Sequence, residues 1–154
     1  MPEHPINPAS LVNISRYPVD STENPQHQKS LTLTRAQLKR DGCAVIPDFL
    51  SPFGLSRLLA EAEERRKFAY FSANTKTNVY FSDDDPSLAQ DHPKRIFLDR
   101  TNGFITSDCY GDHSASQFLY NWPALMTFIQ DCLGKDRLYI YEDPVSNMIV
   151  NVLT

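Results

Sequence analysis

Leu38-Lys39-Arg40-Asp41-Gly42-Cys43-Ala44-Val45-Ile46-Pro47-Asp48-Phe49-Leu50-Ser51 reads as the end of one helix, a turn, an apolar run and the start of a second helix. Gly42 is the residue type that leaves a helix through the left-handed conformation, since it has no Cβ to clash there. Thr34 is read as the N-cap of a short helix over 35–41 that this glycine stops. The apolar run 43–47, bounded by Gly42 and Pro47, predicts a short buried strand. Ser51-Pro52 places a capping hydroxyl before a proline at the first helical position, where the missing N–H costs nothing.

Working outward, the spacing of Leu55, Leu58, Leu59 and Ala62 predicts an amphipathic helix of about five turns ending near Phe71. Glu61 and Arg65, and Glu63 and Lys67, are set four apart on its outer side. A strand is expected over 77–81, a turn at Ser82-Asp83-Asp84-Asp85-Pro86, and strand character with one wet side over 94–105. The three aspartates lack the spaced oxygen ligands, the glycine and the distal glutamate of a calcium loop. A short helix is expected over 114–120. A second opens at Asn121-Trp122-Pro123, with Leu125, Phe128, Ile129, Cys132 and Leu133 inward and Gly134 as its stop. Strands over 137–141 and 146–154 flank the turn Glu142-Asp143-Pro144. This order predicts an α+β domain with helices laid against a sheet.

Residues 1–30 carry Pro2, Pro5, Pro8, Pro18 and Pro25 among Asn, Ser, Gln and His, and are read as a flexible leader. Leu11, Val12, Ile14 and Tyr17 are its points of contact with the domain surface, which leaves 31–154 as the folded part. At the other end, 146–154 is β-branched, nearly uncharged and read as a buried strand. A domain that ends on such a strand exposes an edge that invites pairing, so self-association through it is expected, or else this is the front of a larger domain.

The net charge is −4 and the basic residues are scattered, which argues against a nucleic-acid surface. No apolar run approaches the ~20 residues of a membrane span, and no secretory signal is visible at the amino terminus. Cys43, Cys109 and Cys132 are odd in number and widely spaced, as free thiols of a reducing, cytoplasmic compartment would be.

Cys109, Asp112 and His113 lie within five residues, but no second cluster completes a metal shell, and a surface turn is the better reading. Nothing near Cys109 supports a cysteine nucleophile. No glycine-rich phosphate loop, nucleophile elbow or paired-histidine zinc motif is present. Arg95, Arg100 and Glu142 are charges beside apolar strands. Asn147 and Asn151 are expected to share a face of the last strand with Ile149 and Leu153, lining a polar cavity or making structural hydrogen bonds.

The string 38–51, followed by its long helix, resembles the beginning of iron(II)/2-oxoglutarate-dependent oxygenases of the phytanoyl-CoA dioxygenase-like type, the side of the superfamily that includes free-amino-acid hydroxylases and halogenases. Asn121-Trp122-Pro123, Cys132-Leu133-Gly134 and the run Asn147 to Leu153 follow in the same order, so the resemblance extends over 31–154. It implies N-terminal helices packed on a double-stranded β-helix, or jelly roll, incomplete in this chain. It also implies Fe(II) and 2-oxoglutarate in a full-length relative acting on a small-molecule substrate. Iron would there be held by His-x-Asp, or His-x-Gly in halogenases, and a distal His, leaving open positions for cosubstrate and oxygen. Neither motif occurs in these 154 residues, so no catalytic or metal residue carries over and no cofactor is expected on this chain. Arg95, Glu142, Asn147 and Asn151 are the substrate-pocket residues the resemblance implies. A non-catalytic binding module on the same scaffold is the alternative.

Overall fold

Helix α1 (Pro25–Asp41) opens and closes on capping residues. Asn24 accepts a hydrogen bond from the Gln26 N–H at 2.9 Å, Pro25 takes the first turn, and Gly42 leaves the helix at φ 72°. In the computed structural model, which describes residues 6–72 and 76–153, three further helices follow: α2 (Pro52–Arg65), α3 (Ala115–Tyr120) and α4 (Pro123–Leu133). A three-stranded antiparallel sheet has the order β1 (Tyr70–Phe71), β4 (Asn102–Thr106), β5 (Ile149–Leu153), and β2 (Lys76–Thr77) pairs with β3 (Leu98–Asp99) separately. The architecture is α+β. No helix among the described residues is long and apolar enough to cross a membrane.

The stretch read as a leader is the main correction. Val12, Tyr17 and Val19 join Leu31, Phe128 and Cys132 in one buried cluster, and Leu11 is fully buried beside it. Two of the prolines that signalled disorder, Pro8 and Pro25, are placed where a proline is harmless. Pro8 begins a 3-10 turn capped by Asn7, and Pro25 begins α1. His27 is buried as well, with Nδ1 2.8 Å from the Pro18 carbonyl oxygen and its ring edge-on to Phe128 at 5.6 Å. α1 therefore starts ten residues before the expected helix, and Thr34 is a buried mid-helix residue hydrogen-bonded to Cys132. Residues 1–5 of the expected leader, and Thr154 of the expected last strand, lie outside the described residues.

Two apolar runs expected as strands form none. Over 43–47 no neighbouring strand offers a ladder, and the Gln37 side chain engages the Val45 backbone instead: Val45 N–H donates to Gln37 Oε1 at 3.2 Å. Over 137–141 the side chains of Tyr139 and Tyr141 are exposed. The region 94–105 divides into a 3-10 turn, β3 and β4, and 77–81 contributes only its first residue to β2. There Asn78 turns the chain, its Oδ1 accepting from the N–H groups of Tyr80 and Ser82.

α2 ends at Arg65 and continues as a 3-10 turn to Phe68. Its buried stripe is Gly54 and Glu61, with Leu58 half-buried between them, while Leu55 and Leu59 stay exposed. Glu61 turns inward and does not pair with Arg65, which reaches Glu64 at 3.5 Å; Glu63 meets Arg66 at 3.7 Å in place of Lys67. α4 follows expectation more closely, with Phe128 and Cys132 buried, Gly134 stopping it at φ 60°, and Ile129 and Leu133 partly exposed. Arg35 ties α1 to its end, Nε donating to the Asp131 carbonyl at 2.7 Å.

β5 is also corrected. It is an edge strand, with Ile149 and Leu153 exposed, because no second layer covers that side among the described residues.

Candidate functional site

Cross-strand register divides the sheet into two unlike faces. Phe71, Gly103 and Val152 are opposite one another, and Ile105 is opposite Val150, so these five share one face. Ile105 is fully buried, and the Phe71 ring lies over Gly103 so closely that an added Cβ would meet it at 2.6 Å. On this side Leu59 and Ala62 of α2 meet Val150 and Val152 across a groove of about 290 Å³. The other face carries Tyr70, Phe104 and Asn151 in register, with Thr106 opposite Ile149 and Asn102 opposite Leu153. Tyr70, Ile149, Asn151 and Leu153 are exposed there, and Phe104 and Thr106 are half-covered. The exposed Tyr70 ring and Asn151 amide are thus set beside the half-covered Phe104 on one surface, a combination suited to orienting a small molecule, while the Thr106 hydroxyl is engaged by Asp108.

The four substrate-side residues lie in different settings. Asn151 is on the open sheet face and reaches the rim of the groove beside α2. Asn147 precedes the strand, so the two amides do not share a strand face. Its N–H donates to the Asp143 carbonyl at 3.0 Å, and its Oδ1 is buried with no hydrogen-bond partner among the described residues. Glu142 is exposed on the preceding turn. Arg95 grips the 84–88 loop: Nε donates to Asp84 Oδ1 at 3.0 Å and NH1 to the Leu88 carbonyl at 3.1 Å. Arg95 is therefore a clamp on its own loop, and the structure does not bring all four residues to one surface.

The turn into β5 is organised by Asp143. Its carboxylate accepts from the N–H groups of Val145 at 2.8 Å and Ser146 at 3.2 Å, and from the Ser146 hydroxyl at 2.8 Å. These bonds hold its pKa below the ordinary carboxylate value, the Val145 N–H contributing most.

A second concavity of about 360 Å³ lies on the opposite flank of α2, between Arg57, Glu61, Arg65 and the loop 110–114. Glu61, expected on the outer side of α2, turns inward here. Its carboxylate accepts from Ala115 N–H at 2.6 Å, Ser116 N–H at 3.1 Å and the Ser116 hydroxyl at 2.9 Å, closing the start of α3. The signal was available in the spacing, because Gly54, Leu58 and Glu61 recur at helical intervals on one stripe. Tyr110 lines the same cavity, its hydroxyl buried with no partner among the described residues. Burial pushes its pKa up, and the negative charge of Glu61 adds to the effect.

Cys109, Asp112 and His113 form no metal-holding group, and no group of three or more His, Cys, Asp or Glu placed to hold a metal ion occurs among the described residues. His27 is committed to Pro18, His92 Nδ1 accepts from Lys94 N–H at 3.2 Å, and His113 lies beside Phe118. This donor set does not fit a facial-triad iron. Cys43, Cys109 and Cys132 are free thiols, and burial raises the pKa of Cys132, opposed by its Thr34 hydrogen bond.

Comparison with protein-family models, with curated proteins and with solved structures returns no match.

Proposed function

We propose that this chain is the substrate-side scaffold of an oxygenase-like domain of the iron(II)/2-oxoglutarate type. In this reading, helices back one face of a jelly-roll sheet and the uncovered face receives a small molecule. The observation that carries it is the asymmetry of the sheet. Leu59 and Ala62 of α2 flank the face of Ile105 and Val150 across a groove, while Tyr70 and Asn151 stand exposed on the other face and Phe104 is half-covered there. A jelly roll places its pocket on the sheet face turned away from its helices. The order of elements adds support: a glycine-stopped helix, an extended segment, a serine-capped helix, and then antiparallel strands. Asn151 is the pocket residue best placed in this scheme, and Asn147 stands at the entrance of its strand.

The residues present do not fit the iron centre of that superfamily, so no oxidative step is assigned to this chain. A non-catalytic small-molecule-binding or protein-binding module on the same scaffold is the second reading. Anaerobic titration with Fe(II) and 2-oxoglutarate, followed by oxygen, tests the assignment of chemistry. The expected outcome is no stoichiometric complex and no succinate; tight binding with succinate release overturns it. Which sheet face a small molecule contacts is read by amide chemical-shift mapping.

A further inference from the structure

Among the described residues, the outer edge of β5 is the longest unpaired strand edge of the sheet. At the opposite edge β1 has only Tyr70 and Phe71, too short to carry a ladder, whereas β5 has five residues. An edge of this kind presents a row of N–H and C=O groups to which another extended backbone can pair. The usual devices that blunt an edge are missing from Ile149-Val150-Asn151-Val152-Leu153, which contains no charge, no proline and no glycine.

We propose that β5 pairs antiparallel with β5 of a second copy about a two-fold axis through Asn151, giving a closed dimer with a continuous six-stranded sheet. Full overlap of the five residues fixes the register. Ile149 then faces the partner's Leu153, Val150 faces the partner's Val152, and Asn151 faces its own counterpart. Each pairing joins like with like. Aliphatic side chains meet across the dyad on both faces, and two amides at the centre offer each other a donor and an acceptor. Ile149 is 42% exposed and Leu153 76% exposed in the single chain, so both have apolar surface to cover. The rim contributed by α2 carries both signs, Glu63 and Arg66, so the two-fold brings no face of one charge against itself.

A second copy is favoured over an unrelated strand because the segment is self-complementary and the interface closes. Pairing β5 to β1 would be head-to-tail and would build open chains, but β1 offers only two residues for it. The inference uses only the edge and its sequence, and it concerns the 154-residue chain.

The test is sedimentation velocity of the full 154-residue chain across a dilution series, with two paired variants. Ile149→Lys/Leu153→Lys sets like charges opposite each other twice. Ile149→Lys/Leu153→Glu sets opposite charges in the same two places. Both positions are exposed, and circular dichroism and thermal melting verify that each variant folds as the parent does. The expected results are a dimer for the parent, dissociation about tenfold or more easier for the Lys/Lys variant than for the Lys/Glu variant, and a salt-sensitive dimer for the latter. A monomeric parent, a ladder of larger species, or two variants of equal affinity would each overturn the proposal.

Discussion

Gly54 lies where α2 passes the backbone of Leu11, and a Cβ there would stand 2.0 Å from the Leu11 carbonyl oxygen. Backbone cannot step aside as a side-chain tip does, so Gly54→Ala is expected to lower stability by about 2–3 kcal/mol, read from denaturant midpoints. This outcome runs against helix propensity, which favours alanine over glycine by ~1 kcal/mol. Glu61 is the second decisive residue. Glu61→Ala leaves two buried N–H groups and a hydroxyl without their acceptor, for an expected loss of about 3 kcal/mol, while Glu61→Gln keeps one oxygen and loses about 1–2 kcal/mol. Equal stability of parent and Glu61→Ala would show that α3 does not depend on this carboxylate. Gly54 was not legible as structural in the sequence, and Glu61 was so only through its spacing from Gly54 and Leu58. Gly54 has meaning only once Leu11 is packed against it, and Glu61 looks like one more solvent-facing charge until α3 arrives.

The helices were legible where they carry their own chemistry. Ser51-Pro52, Gly42 and Gly134 set their boundaries by local hydrogen bonds and backbone conformation, and all three perform those roles; Ser114, expected as the first residue of its helix, is its N-cap. The strands were not, because an apolar run becomes a strand only when a neighbour supplies a ladder; 43–47 and 137–141 have none. The turn into β5 is local again. Asp143 titrates below the ordinary carboxylate range because the turn's donors stabilise its charged form. Its contribution is therefore complete above the unfolded carboxylate pKa of about 3.9 and is lost as pH falls through the lower folded value. Amide exchange at Val145 and Ser146 is expected to accelerate over that acidic window in the parent. Asp143→Asn is expected to exchange faster at neutral pH and to show no such step.

At the scale of the molecule, the core draws on both ends of the described chain: 11–19 packs with α1 and α4. Leu11, Val12, Tyr17 and Val19 are buried, and such side chains contribute about 1.5–3 kcal/mol each against a typical total stability of about 5–15 kcal/mol. Removal of residues 1–24 is expected to abolish cooperative thermal unfolding; an unchanged transition would return this segment to the status of a leader. Composition misled here because it averages over prolines that sit in turns and first helical positions. The substrate-side residues were legible only in part. Asn151 reaches the open sheet face because strand alternation is local, whereas Arg95 is held by Asp84 and Leu88 through a loop closure that spacing does not reveal. The central claim is that this open face, and not the polar cavity beside α3, is the small-molecule side. It is tested most directly by two-dimensional NMR of the 15N-labelled chain against a panel of small organic molecules. Binders are predicted to shift the amides of Tyr70, Phe104 and Thr106; shifts confined to Tyr110, His113 and Ala115, or no shifts at the sheet, would contradict it.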